Sequence, residues 1–126
     1  MNTEFRHWID PIKEELKQHI EDNIQNYTQS VFEYNYYDGF ENDLHHQLFN
    51  EDYYLIGYYN CEEWLKKHGV NIFDGIAFVQ EYEEENLGSE GVRRYEDAET
   101  LVNMIVYIIG EDLIYNEEYH KQFLTN

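Results

Sequence analysis

The segment DAETLVNMIVYIIGEDL, residues 97–113, decides the fold. Asp97 reads as an N-cap, because a short carboxylate side chain accepts amide N–H groups that the first helical turn leaves unbonded. Behind it, Leu101, Val102, Met104, Ile105, Ile108, Ile109 and Leu113 cover more than one narrow stripe. A helix apolar over that width is buried on more than one side, so the segment is predicted to be a central helix or a dimer face.

Further helices are predicted upstream. Asp10-Pro11 reads as an N-cap with proline at the first helical position. Ile12, Leu16, Ile20 and Ile24 recur every four residues, and Tyr27 and Val31 extend the stripe to a helix of about five turns. Asp38-Gly39 is expected to break it. Phe40, Leu44 and Leu48 mark a short second helix stopped or capped at Asn50. Tyr53, Ile56, Asn60 and Trp64, beside Cys61 and Leu65, mark a third, which ends at Lys66-Lys67-His68-Gly69 with cations in the last turn and glycine just past it. Asn71 reads as the cap of a fourth, with Phe73, Ile76, Ala77, Val79 and Gln80 predicted to face inward. Gly88-Ser89-Glu90-Gly91 reads as a loop, and strand alternation competes only at Val31–Tyr36. The expectation is one all-α domain over residues 1–126, a compact bundle of about five helices with an acidic, tyrosine-rich surface.

Composition narrows the function classes. The chain carries 27 Asp or Glu against 8 Lys or Arg, a formal net charge of −19. With 42% hydrophobic and 17% aromatic residues it does not resemble an acidic disordered chain. No apolar run approaches the roughly 20 residues that cross a bilayer, and no signal peptide opens the sequence. A single cysteine, Cys61, excludes an internal disulfide framework or a Cys-rich zinc site and suits a reducing cytoplasm. Charge of this sign opposes binding to nucleic acid or an anionic membrane and favours a basic partner.

The charge is also unevenly placed. Residues 18–65 contain no Lys or Arg but hold Glu33, Asp38, Glu41, Asp43, Glu51, Asp52, Glu62 and Glu63. A second base-free stretch, from His68 to Val92, holds Glu81, Glu83, Glu84 and Glu85. Solvated helices usually intersperse signs, since like charges one turn apart repel. These carboxylates are therefore expected to be exposed, to form a continuous negative band and to make few internal ion pairs. Eight of the 13 tyrosines lie between residues 27 and 59, mostly inside the first base-free stretch. Tyrosine supplies large contact area at low entropic cost, which makes Tyr53 and Tyr58 candidate anchors within the same partner-binding surface.

Catalytic patterns are weak. There is no Gly-x-Ser-x-Gly turn, and Cys61 precedes Glu62-Glu63, whose charge disfavours a thiolate. Gly88-Ser89-Glu90-Gly91 lacks the Gly-Lys-Ser/Thr element that cradles phosphate. Of the Glu-x-x-His elements that build di-iron bundles only Glu117-x-x-His120 matches, with Asp43-x-x-His46 a looser relative. His45 and His46 are adjacent and point about 100° apart on a helix. No EF-hand loop follows Asp38-Gly39. The prediction is no catalytic residue, no bound metal and no cofactor, with the histidines on polar helix faces or capping one another's turns and Cys61 buried or half-buried in a helix.

The block Asn42-Asp43-Leu44-His45, followed by Asp52-Tyr53-Tyr54, resembles the acidic helical segment of the bacteriophage DNA-mimic antirestriction proteins of the overcome-classical-restriction (Ocr) type. The wider block from Asp43 to Leu113 is also similar to small phage-encoded proteins of unassigned function. The very acidic C-terminal tail of the antirestriction family has no counterpart here. The resemblance implies an all-α homodimer that occupies the DNA groove of restriction and modification enzymes. The charge pattern agrees with it: carboxylates on successive helical turns stand about 5–6 Å apart and can take the Lys and Arg partners of phosphates. Two other readings stay open. One is a non-mimetic acidic adaptor that binds a basic partner through tyrosine anchors; the other is a metal-dependent or otherwise unrecognised enzyme.

Overall fold

The structure, a computed structural model, describes residues 6–24, 27–28, 33–34, 36–49, 60–87 and 97–125. Among them the fold is all-α. Six helices follow in order: α1 (Ile9–Asn23), α2 (Asn42–Phe49), α3 (Cys61–Lys67), α4 (Ile72–Leu87), α5 (Ala98–Ile114) and α6 (Glu117–His120). A π-helical turn, Tyr36–Glu41, leads into α2, and a 3-10 turn, Lys121–Phe123, follows α6. Two-residue strands β1 (Tyr27–Thr28) and β2 (Leu124–Thr125) pair in parallel.

Helix α5 is central, as its width predicts. Leu101, Val102, Ile105, Val106, Ile108, Ile109, Leu113 and Ile114 are buried, and α1, α2, α3 and α4 all pack on it. Asp97 caps it as expected, accepting the Thr100 N–H at 2.8 Å. Facing it are Ile12, Leu16 and Ile20 of α1, Leu44 and Leu48 of α2, Trp64 and Leu65 of α3, and Phe78 and Val79 of α4. Burial of a large aliphatic or aromatic side chain contributes about 1.5–3 kcal/mol, so this layer holds the bundle together.

Several boundaries differ from the sequence expectation. The N-cap of α1 is Trp8, not Asp10, because the Trp8 carbonyl already accepts the Ile12 N–H at 3.2 Å. Pro11 then sits inside the first turn, where a missing N–H costs nothing. The same helix stops at Asn23, whose side chain donates back to the His19 carbonyl at 2.8 Å, and Tyr27 belongs to β1. Asp38-Gly39 does not break a helix but lies within the π-helical turn, and Glu33-Tyr34 is helical although it falls in the segment with strand alternation. Asn60 is not on the packing face of the third helix: it caps α3, accepting the Glu62 and Glu63 N–H groups at 3.1 and 3.2 Å. Asn50, Tyr53 and Ile56, the Gly88–Gly91 loop and Val31 lie outside the described residues.

The end of α3 and the start of α4 agree with the sequence. Gly69 has φ of 69°, a conformation that favours glycine, directly after the His68 C-cap. Asn71 accepts the Phe73 N–H at 2.9 Å. Of the residues expected to face inward on α4, Val79 is buried and Ile76 packs against the core, but Phe73 is 77% exposed, and Gly75, Phe78 and Glu83 complete the buried strip. Gly75 is the pivot. A Cβ there would stand 3.2 Å from Val70 Cγ1 and 3.3 Å from Ile105 Cδ1, so only glycine lets α4 lie this close to α5 without pushing them aside.

Candidate interaction surface

The candidate acids are carried by separate elements that pack around α5. Glu33 is exposed. Asp38 is in the π-helical turn, and Glu41 and Asp43, at the join with α2, are half-buried. Glu62 and Glu63 are exposed in the first turn of α3, where the Asn60 cap and the positive end of the helix dipole favour negative charge. Glu81, Glu84 and Glu85 are exposed on α4. Glu51, Asp52, Tyr53 and Tyr58 lie outside the described residues.

Two of the α4 carboxylates do not behave as an unpaired band requires. Glu83 is 1% exposed, because it follows Val79 by one turn and shares the inner face with Phe78 and Gly75. Glu81 is bonded to Arg6, whose Nη1 donates to Glu81 Oε2 and whose Nε donates to Asp74 Oδ1 at 3.1 Å. Trp8 Nε1 donates to the other Asp74 oxygen at 3.0 Å, and the Arg6 guanidinium lies 5.5 Å from the centre of the Phe78 ring. The Glu81 hydrogen bond is the main cause of an Arg6 pKa raised above the ordinary value, against the effect of burial. Sequence spacing gave no sign of this corner, since Arg6 and Asp74 are brought together by tertiary packing alone.

Other bases are also engaged. Lys13 reaches Asp112 at 3.1 Å, Lys17 reaches Glu14 at 3.3 Å and Lys121 reaches Glu118 at 2.8 Å. His68 Nε2 lies 2.8 Å from Glu15 Oε2, and its Nδ1 lies 2.8 Å from the Trp64 carbonyl, which joins the end of α3 to α1. By contrast, Glu62, Glu63, Glu84 and Glu85 make no ion pair among the described residues.

A second acidic region lies where α5 meets α6. Glu111, Asp112, Tyr115, Asn116, Glu117 and Glu118 line an open hollow there. Tyr82 donates its hydroxyl to Glu111 at 2.8 Å; burial, then that bond, raise the Tyr82 pKa. Burial and the same carboxylate also raise Tyr107. His45 lies 3.4 Å from the Tyr115 hydroxyl, and burial lowers its pKa although Glu41 and Glu111 pull it upward.

The expected placement of the histidines is corrected at one position. His120 is fully buried, not on a polar face: its Nε2 lies 2.8 Å from the Leu113 carbonyl and its ring packs edge-on against Phe40. Burial is the main cause of its lowered pKa. Glu117, one turn earlier, is exposed, so Glu117-x-x-His120 does not present two ligands to one point. Among the described residues no three His, Cys, Asp or Glu side chains gather into a metal-sized group. Cys61 is half-buried against the core, as expected of a packed thiol, and no helix among the described residues is long and apolar enough to cross a membrane. Sequence reasoning missed Phe73 as an exposed residue; its signal was the stripe through Gly75, a residue without a side chain to mark it. Comparisons with protein-family models, with curated proteins and with solved structures find no match to this chain.

Proposed function

We propose that the chain is an acidic DNA mimic that inhibits a basic host defence protein, a restriction enzyme or a CRISPR nuclease, by occupying its nucleic-acid-binding site. One observation carries the reading. The bases Arg6, Lys13, Lys17 and Lys121 are held by carboxylates of the same chain, while Glu62, Glu63, Glu84 and Glu85 point outward with no ion pair among the described residues. Exposed acids without counter-charges keep their capacity for the charge-assisted hydrogen bonds that Lys and Arg otherwise make to phosphate. The resemblance to phage antirestriction proteins supports the same reading and adds a homodimer acting in the cytoplasm of a host bacterium. No catalysis and no cofactor are required.

A second reading has its own observation. Tyr34 is 92% exposed and Tyr115 57%, and exposed aromatics favour an adaptor whose affinity comes from a few buried rings. Competition separates the two. With purified restriction or CRISPR nuclease immobilised, the mimic and duplex DNA exclude one another, and mimic affinity falls steeply between 0.05 and 0.5 M salt (values on the order of those that span the Debye range). Simultaneous binding of duplex DNA and this protein would overturn the mimic reading.

A further inference from the structure

The outward side of α4 carries a large apolar side chain on a rigid base. Phe73 is 77% exposed and Ile72 beside it 41%. Their turn is fixed on both sides: Asn71 accepts the Phe73 N–H, and Asp74 is held by Trp8 and Arg6. Helical spacing places Ala77 and Glu84 on the same line as Phe73, with Glu81 at its edge. A phenyl ring left in water forgoes the gain of burial, and a side chain on a backbone already fixed in a helix loses less freedom when a partner covers it than one on a loop.

Charge decides what covers it. A second copy of the chain would bring Glu81, Glu84 and Glu85 toward the same carboxylates on another molecule of net charge −19, and repulsion opposes that contact. A cationic segment is attracted instead. Resting on the reading that the chain binds a basic protein, we infer that the outer face of α4 is a docking surface for a Lys- and Arg-rich amphipathic helix of that protein. Phe73 packs against the apolar stripe of this helix, and Glu84 meets its cations, with Glu85 on the flank. The apolar contact adds an attraction that salt does not screen, so overall affinity falls as salt rises while the apolar contribution remains.

Two synthetic helical peptides of equal length and equal positive charge test this, one with Leu at every third or fourth position and one with Gln there. Their affinities for the full chain and for Phe73→Ser are measured by fluorescence anisotropy at low and high salt. The expected result is roughly tenfold tighter binding of the Leu peptide, a factor equal to about 1.4 kcal/mol. That margin persists at high salt and disappears in Phe73→Ser, whose circular dichroism is unchanged; Phe73→Leu retains most of it. Equal binding of the two peptides, or a margin indifferent to Phe73→Ser, overturns the docking inference while leaving the basic-partner reading standing. Failure of both peptides to bind even at low salt overturns both. Sedimentation of the protein as a dimer that Phe73→Ser dissociates assigns the surface to a second copy and overturns the inference as well.

Discussion

Helices α4 and α5 lie against one another and are almost equal in length, 16 and 17 residues, yet they are built for opposite tasks. Helix α5 buries side chains on several faces and contacts four other helices. Helix α4 buries one strip, Gly75, Phe78, Val79 and Glu83, and turns Phe73, Glu81, Glu84 and Glu85 to solvent. The difference teaches that stability and surface charge are carried by separate residues. Acids can accumulate along α4 because the apolar packing around α5 offsets their repulsion, and that division can be tested from both sides.

The largest effect is expected inside α5. Ile105→Ala removes a fully buried side chain facing Gly75 and should lower unfolding free energy by about 2–5 kcal/mol, read from urea midpoints at constant m-value. A loss under 1 kcal/mol would mean that α5 is not the centre on which the other helices depend.

The contact between the two helices comes next. Gly75→Ala gains up to about 1 kcal/mol in helix propensity, but its methyl group meets Val70 and Ile105, both buried, and overpacking costs about 1–3 kcal/mol. A net destabilisation of about 1 kcal/mol is expected. A stabilised variant would show that α4 can move outward freely and that the glycine is not what sets its spacing.

A pH experiment probes the buried end of α5. Burial holds His120 below its ordinary value of 6.5, so near that pH the unfolded chain binds more protons than the folded one. This contribution is therefore level above pH 6.5, and stability is lost as pH falls through and below 6.5, by less than the limiting ~1.4 kcal/mol per pH unit for one proton. His45 shifts in the same direction. His120→Gln, which keeps an N–H for the Leu113 carbonyl, should flatten the profile; an unchanged slope would assign it to other groups.

The smallest effect belongs to the outer face. Glu84→Gln with Glu85→Gln should leave stability within about 0.5 kcal/mol of the parent, shifted upward at low salt, while weakening any cationic ligand. A clear loss of stability would mean that these carboxylates hold the fold together, contrary to the division drawn above.

The two helices also differ in how far they could be read from sequence. Helix α5 announces itself, because nearly every buried position is a large aliphatic residue following an Asp cap. Helix α4 does not: its inner strip passes through Gly75, which has no side chain, and Glu83, which is charged, so the apolar pattern draws Phe73 and Ala77 into the expected inner face. Helix ends with local chemistry were legible, as at Asn71, Asp97 and Lys66–Gly69. The starts of α1 and α3 were not, since Trp8 offers no capping side chain and Asn60 mimics a packing position in a four-residue repeat. Among the candidate acids, exposure of Glu62, Glu63, Glu84 and Glu85 follows from charge alone. The engagement of Glu81 by Arg6 required knowing that the two ends of a long sequence separation meet.

The parallel pairing of Tyr27 with Leu124 and Thr28 with Thr125 bears on the order in which the chain assembles. Nearly all of the bundle lies between the two partners, so bringing them together in an unfolded chain costs more closure entropy than forming any neighbouring helix pair. Two residues per strand return too little to nucleate folding. The clasp therefore closes late, after α1 and α5 have docked, and its amides should exchange hydrogen well before those of Ile105 and Ile109.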